Sequence, residues 1–253
     1  MLATLPMYDF PEVHEATDAL WAAIAKEYGV SVGLTREPDW TSAWRNPDLL
    51  FSQTCGYPFT HEFKGMLKYV ATPHYAADGC KGANYCSIIL AREQKPLAAF
   101  QGATAAFNSR DSTSGMLALQ LVFAPFAMQG RFFGSAIETG GHVAALQMLQ
   151  SAKADVCAID CVTMAYLKRY RPAALAGLME VGRSPLIPGL PFVTRGGNIR
   201  KLRDALSVVL GNPDVEHIRD ALLLTDVSDV GASSYETILQ HEKAMFETGG
   251  LAL

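Results

Sequence analysis

The stretch GATAAFNSRDSTSGMLALQLVF, residues 102–123, contains the pattern on which the interpretation of this chain depends. Its first seven residues form a short apolar segment typical of a buried strand, and the part from Ser112 onward has the composition of a helix. Three consecutive hydroxyl residues, Ser112, Thr113 and Ser114, open that helix and are followed by Gly115. The stretch therefore predicts a strand, a polar turn and a helix start.

Strands and helices alternate in the same way along most of the chain, which predicts an α/β fold with helices on the faces of its sheets. A helix near 12–28 carries apolar residues at steps of three and four, and Pro11 suits its first turn. Apolar segments bounded by turn residues predict further strands at 1–7, 30–35, 48–53, 67–73, 85–92, 133–141 and 155–160. Further helices are predicted at 141–152, 161–181, 198–210, 214–223 and 233–247.

The second set of elements is short and tightly connected, which predicts a lobe of its own. The proline-rich segment 184–197 suits an extended connection better than a helix. We therefore expect one lobe from residues 1–93 and 189–253, another from 94–188, and two crossing segments near 91–100 and 184–194. A cleft between two lobes is a usual place for a small ligand.

Composition excludes some classes of protein. The chain has 253 residues, 49% of them hydrophobic and 18% charged, which is typical of a globular protein. Its net charge of −4 and scattered Lys and Arg residues argue against nucleic acid as a partner. The N-terminus lacks the pattern of a secretion signal, so the chain as written is expected to be cytoplasmic, or secreted after removal of a leader.

The cysteines predict neither a cofactor nor a metal site. Their spacing matches no zinc pattern, and a cluster of His74 with Cys80 and Cys86 would lack a fourth ligand. Ordinary buried thiols are the expected state, while a bridge from Cys80 to Cys55 or Cys86 stays open. The five residues are Cys55, Cys80, Cys86, Cys157 and Cys161.

The hydroxyls of Ser112, Thr113 and Ser114 indicate an anion site. The first N–H groups of a helix lack intrahelical partners and carry partial positive charge, so hydroxyls there can cap the helix or join the N–H groups in binding an oxyanion. One cap would satisfy the helix, and the other two hydroxyls favour binding. Capping with solvated serines is the alternative.

Two further residues follow predicted strands. His142 opens a helix after Gly140 and Gly141, and Asp160 ends an apolar strand at the sheet edge where α/β proteins bind ligands. A structural histidine and a capping aspartate are the alternatives. Gln53, Thr54 and Tyr57 lie just past another predicted strand and could face the same ligand.

The segments AFNSRDSTSGMLAL, GGHVAALQML, ADVCAIDCVT and PLIPGLPFVT occur in this order at 106–119, 140–149, 154–163 and 185–194. Together they resemble the phosphate/phosphonate-type solute-binding proteins of ABC transporters, over residues 2 to about 210. The resemblance implies a two-lobed periplasmic-binding-protein fold of the second topological type, with a mixed sheet in each lobe.

The resemblance also implies roles for individual residues. Ser112, Thr113 and Ser114 would meet the ligand oxygens together with His142, and Asp160 would face a ligand amino group. The first-lobe aromatic corresponds to Tyr57 and the aromatic before the first crossing to Tyr85. Implied partners are a small anionic ligand and an ABC transporter permease, with the chain itself a monomer or weak dimer.

We therefore expect a binding protein for a small oxyanion, used in transport or sensing, which closes over its ligand and has no catalytic residues. The alternative is an enzyme on the same fold, such as one that makes the thiamin pyrimidine. An enzyme would need a nucleophile beside a base, and the available pairs are Ser112 or Cys161 with His142. No familiar catalytic motif accompanies those pairs.

Overall fold

The structure, a computed structural model, describes residues 1–36, 39–247 and 249–253. Its strands are β1 Leu2–Thr4, β2 Leu49–Gln53, β3 Lys68–Tyr75, β4 Asn84–Tyr85, β5 Ser87–Ala91, β6 Thr104–Phe107, β7 Ser135–Glu138, β8 Val156–Asp160, β9 Met179–Arg183, β10 Ile187–Pro188, β11 Phe192–Thr194 and β12 Leu224–Ser228. Its α-helices are α1 His14–Tyr28, α2 Trp40–Arg45, α3 Gly56–Thr60, α4 Ala118–Phe123, α5 His142–Gln150, α6 Cys161–Tyr170, α7 Ile199–Gly211, α8 Glu216–Ala221 and α9 Glu236–Glu247.

The chain divides into two compact units. Unit 1 comprises Met1–Ala76, Lys81–Asn84 and Pro188–Tyr235. Unit 2 comprises Ala77–Cys80, Tyr85–Ile187 and Glu236–Leu253. Compared with the predicted lobes, residues 77–80, 85–93 and 236–253 belong to unit 2, and Pro188 belongs to unit 1. The strand β5 belongs to unit 2 because it pairs with β8 and β9 of that unit, and α9 belongs there because it packs on α4.

Unit 1 contains a five-stranded mixed sheet in the order β1-β2-β11-β3-β12. Only β1 and β2 are parallel in this sheet, and the other neighbours are antiparallel. The inner strand β2 is buried along its whole length and covered on both faces. On one face Phe51 stacks on Trp21 of α1, with ring centroids 5.3 Å apart, and on the other Ser52 accepts a hydrogen bond from Trp44 of α2.

Unit 2 contains the second five-stranded mixed sheet, in the order β7-β6-β8-β5-β9. The strands β7, β6 and β8 run parallel, while β5 is antiparallel to both of its neighbours. The helices α5 and α6 pack on β8, which is buried throughout. Parallel strands buried on both faces give continuous apolar sequences, which explains why 156–159 lacks polar residues.

Several details of the predicted elements are wrong, and the short elements α2, α3, β4, β10 and β11 were not predicted. Residues 30–35 form no strand, although Trp21 fixes this segment by donating a hydrogen bond to the Val32 carbonyl. The helix predicted at 161–181 ends at Tyr170, and β9 follows as the edge strand beside β5. The strand β12 was not predicted, because most of its residues are polar and its stability comes from pairing with β3. The other predicted elements are present with shifted ends.

Among the helices of the described residues, none has the length and apolar character needed to cross a membrane.

Substitution of Phe51 tests the packing of the core of unit 1. Its ring is fully buried between Trp21 and Phe192, whose centroids lie 5.3 and 5.0 Å from its own. Phe51→Ala should lower the free energy of unfolding by about 3–5 kcal/mol because the cavity cannot close completely. Val208→Ala on α7 is the control, since Val208 is 54% exposed. Urea unfolding followed by tryptophan fluorescence measures both, and equal losses in the two variants would contradict this description of the core.

Candidate functional site

Three parallel strands of unit 2 end at the same edge of their sheet, and a predicted ligand residue follows or ends each of them. Ser112–Ser114 follow β6, His142 follows β7, and Asp160 ends β8. Because carboxyl ends of parallel strands share one edge, residues far apart in sequence come together there. The structure thus brings the three predicted motifs into one group.

The Ser112–Ser114 turn opens its helix with a single π-helical turn, Thr113–Leu117, before α4 begins. The Leu117 N–H donates to the Ser112 carbonyl at 3.0 Å, and the Ser112 hydroxyl accepts a bond from the Gly115 N–H at 3.0 Å. Ser112 is therefore the capping residue. Capping, the alternative to anion binding, is thus the observed role of the Ser112 hydroxyl.

Gly115 is needed for the close approach of this turn to the end of β6. A Cβ atom placed on Gly115 would lie 1.8 Å from Asn108 Oδ1 and 3.2 Å from the Asn108 backbone nitrogen. The Asn108 carbonyl in turn accepts a hydrogen bond from the Gly140 N–H at 2.7 Å. Asn108 therefore joins the hydroxyl turn to the Gly-Gly-His segment.

His142 stands at the first position of α5 and contacts both other parts of the group. Its Nε2 lies 3.0 Å from Ser114 Oγ and 3.4 Å from Asp160 Oδ2. Burial lowers the pKa of His142 below its ordinary value of 6.5, while the Asp160 carboxylate and the Ala158 carbonyl oppose this shift. The ring is thus neutral at pH 7, and a proton on Nε2 can be shared between Asp160 and Ser114. The Ser114 O–H is then available to donate to an anion.

Asp160 is the capping residue of α6. Its Oδ1 accepts hydrogen bonds from the N–H groups of Val162 at 3.0 Å and Thr163 at 2.8 Å. Its other oxygen faces His142, and the residue is only 2% exposed. Capping of α6 and contact with His142 are thus the roles observed for this carboxylate. The role implied by the resemblance, recognition of a ligand amine, stays a prediction.

Ser114, His142 and Asp160 resemble a catalytic triad in composition but not in geometry. In a triad the serine contacts one ring nitrogen and the carboxylate the other, which keeps the first nitrogen basic. Here both Ser114 and Asp160 approach Nε2, so the serine and the carboxylate share one ring nitrogen instead of contacting opposite ones. Of the two predicted enzymatic pairs, Ser112 uses its hydroxyl for capping. The arrangement suits holding a ligand better than activating a nucleophile.

The other three predicted site residues belong to unit 2, in the case of Tyr85, and to unit 1, in the case of Thr54 and Tyr57. Tyr85 is buried in unit 2, two residues before Ser87, the strand partner of Asp160. In unit 1, Thr54 follows the end of β2 and is fully buried, and Tyr57 lies in α3 with its ring stacked on His61 at 3.7 Å. Gln53 Nε2 donates to the Leu190 carbonyl, so its side chain serves the structure of unit 1.

Asn108 is a residue of this region that the sequence interpretation did not single out. Its Oδ1 is buried and has no hydrogen-bond partner within the part of the chain that the structure describes. An unpaired buried acceptor is costly unless a ligand or water completes it. Its position directly after β6, at the carboxyl end of a parallel strand, is the signal in the sequence that could have identified it as a site residue.

In the described residues, no three His, Cys, Asp or Glu side chains are grouped so as to hold a metal ion.

Gly115→Ala tests the close approach in this turn. The added methyl cannot fit against Asn108, so the variant should lose about 1–3 kcal/mol of unfolding free energy. Adding Asn108→Ala should recover part of that loss. Gly211→Ala is the matched control, because a Cβ there has nothing within 4 Å. A Gly115→Ala variant as stable as Gly211→Ala in urea unfolding would show that the turn is loosely packed.

The lowered pKa of His142 predicts a pH dependence of stability. The unfolded chain binds the proton more readily than the folded one, so the free energy of unfolding should fall as pH falls through about 6.5. His142→Gln should remove this part of the slope between pH 7.5 and 5. His217→Gln, exposed on α8, should follow the wild-type curve. Parallel curves for wild type and His142→Gln would contradict the assignment.

Comparison with known proteins shows what the chain is similar to. Over 98% of this chain, the structure matches PhnD1 from Prochlorococcus marinus (MIT 9301) in complex with methylphosphonate, with a TM-score of 0.79, 14% identity and 98% coverage of that protein. A binding protein component of an ABC phosphonate transporter from Pseudomonas aeruginosa, PA3383, matches over 98% of this chain and 87% of its own, with a TM-score of 0.76 and 17% identity. An ancestral arginine-binding protein matches with a TM-score of 0.60, 20% identity and coverage of 87% of this chain and 96% of its own. The comparison with curated proteins finds no match.

The likeness to these structures confirms the predicted α/β periplasmic-binding-protein fold of the second type. The model of one family, described as ABC transporter, phosphonate, periplasmic substrate-binding protein, matches residues 2–236. This family consists of binding proteins and not of enzymes, which confirms the prediction that the chain captures a ligand without transforming it. The chain belongs to the family of periplasmic substrate-binding proteins of phosphonate ABC transporters.

Proposed function

We propose that this protein binds a small oxyanion of the phosphonate or phosphate type at the Ser112–Ser114 turn. The observation that carries the proposal is the contact of Ser114 with His142 at a helix start. In the proposed complex, ligand oxygens accept hydrogen bonds from Thr113, Ser114 and N–H groups of the turn. His142 orients Ser114, and Asp160 orients His142.

The electrostatics of the group support an anionic ligand. The helix start contributes partial positive charge, and a neutral His142 can take up a proton when an anion arrives beside it. Hydrogen bonds from hydroxyls to a charged oxygen are stronger than those to a neutral one. The buried Asp160 carboxylate is already occupied by two helix N–H groups, so it repels an anion less than an uncapped carboxylate would.

The proposed ligand class, the further ligand residues, the partner and the oligomeric state come from the sequence and the family. PhnD1 binds methylphosphonate, which makes small phosphonates the first ligands to test. Thr54, Tyr57 and Tyr85 stay in the proposed ligand set. The proposed partner is an ABC transporter permease, and the proposed state of the chain is a monomer or weak dimer.

Ser114→Ala and Thr113→Ala test the site. Each should weaken the binding of methylphosphonate by about 1.5–3 kcal/mol, the usual contribution of a hydrogen bond to a charged group, or roughly 10- to 150-fold in Kd. Isothermal titration calorimetry measures the change. Ser151→Ala is the control, because Ser151 is exposed at the end of α5 and donates only to carbonyls of its own helix.

Unchanged affinity in both Thr113→Ala and Ser114→Ala would refute the site. If wild type does not bind methylphosphonate, a thermal-shift screen of small phosphonates, sulfonates, carboxylates and pyrimidine phosphates identifies the ligand class first. A ligand at 100 times its Kd should add about 2.7 kcal/mol to stability. Mass spectrometry of the recovered ligand should show it unaltered, as expected for a binding protein.

A further inference from the structure

Three cysteines meet in unit 2 beside the residue that caps α6. The sulfur of Cys80 lies 3.5 Å from the sulfur of Cys161, which directly follows Asp160. Cys161 also shares a thiol hydrogen bond with Cys86 and donates its backbone N–H to the Cys86 carbonyl at 2.9 Å. We call Cys80, Cys86 and Cys161 the thiol cluster. All five cysteines of the chain carry free thiols in this structure.

The loop that carries Cys80 is fixed to unit 2 by a separate contact. Asp78 accepts two hydrogen bonds from the guanidinium of Arg183, at 3.0 and 2.7 Å. A bidentate pair of this kind restrains both side chains in one orientation. The loop 77–80 is thus held in register with β9, and Cys80 is held beside Cys161.

Gly79 allows this loop to approach the other two thiols. Its φ of +108° is a conformation that favours glycine, and a Cβ there would lie 2.8 Å from Cys161 Cβ and 2.9 Å from Cys86 Sγ. A larger residue would push the loop away from the cluster. The close approach of the loop at Gly79 therefore contributes to the short distance between the sulfur atoms of Cys80 and Cys161.

We propose that Cys80 and Cys161 form a reversible disulfide when the folded protein meets a disulfide oxidant. Members of this family are periplasmic, and the periplasm is a compartment where disulfides form and persist. The observed sulfur contact, Cys80 with Cys161 at 3.5 Å, is a different pair from the two bridges that the sequence left open, from Cys80 to Cys55 or to Cys86. The sequence did not point to Cys161 as a partner of Cys80, from which 81 residues separate it.

The exposure of the thiols determines which cysteine reacts first. Cys80 is partly exposed, whereas Cys161 and Cys86 are 1% and 4% exposed. A hydrogen bond with Cys80 and burial raise the pKa of Cys161 to about 12, so it is a poor first nucleophile. Cys80 therefore attacks the oxidant as a thiolate, giving a mixed disulfide and releasing one thiol.

Closure of the bridge completes the exchange. The Cys161 sulfur attacks Cys80 Sγ, its proton passes to the departing thiolate, and a second thiol leaves. In total, two hydrogen atoms pass from the protein to the oxidant, whose disulfide becomes two thiols. The sulfur atoms must approach from 3.5 Å to the usual bond length of about 2.05 Å.

The test uses folded wild-type protein incubated with oxidised glutathione and digested without reduction. Mass spectrometry should find peptides containing Cys80 and Cys161 joined, and dithiothreitol should separate them. Cys80→Ser should lose this linkage. Cys55→Ser is the matched control and should keep it, because Cys55 lies in unit 1. The readout needs no ligand, so its result is independent of the proposed function.

Absence of the linkage in folded wild type, or a bridge from Cys161 to Cys86 in its place, would overturn the proposal. A second measurement checks that the bridge fits the native fold. Because it closes a long loop, the oxidised protein should have a Tm several degrees above the reduced one, and Cys80→Ser should show no such difference. A lower Tm on oxidation would show that the linkage distorts the fold, which also counts against the proposal.

Discussion

Parallel pairing of β6 with β7 and β8 is the constraint on which the rest of unit 2 depends. It gives three strands one direction, so their carboxyl ends open onto a single edge. Without that common edge, the hydroxyl turn, His142 and Asp160 would be polar groups spread over 49 residues of chain. With it, each strand end supplies one component of the proposed oxyanion site.

Hydrogen bonds within the protein satisfy many of the polar groups at this site. Asp160 caps α6, Ser112 caps the hydroxyl turn, and Ser114 contacts the His142 ring. Buried polar groups without such partners would oppose folding. Asn108 Oδ1, a buried acceptor with no hydrogen-bond partner in the described residues, lies at the same sheet edge. Some polar atoms of this group thus stabilise the fold, and we propose that others bind the ligand.

The sequence predicted the sheet edge well and its finer contacts poorly. Apolar strands followed by Ser112, His142 and Asp160 were visible because burial on both faces leaves continuous apolar segments. The edge strand β12, with the sequence LTDVS, was missed because an edge strand can be polar and is stabilised through backbone pairing. The position of Cys80 depends on Asp78 and Arg183, which are 105 residues apart, and no local pattern reports such a contact.

The π-helical turn at Thr113–Leu117 has a consequence for how relatives of this chain can vary. Such a turn holds one residue more than an α-helical turn, and each helical residue rotates the chain by about 100°. Loss of a single residue here would turn the preceding hydroxyls away from the ring of His142 even if every side chain type were kept. The number of residues before α4 is thus as much a part of the binding chemistry as their identity.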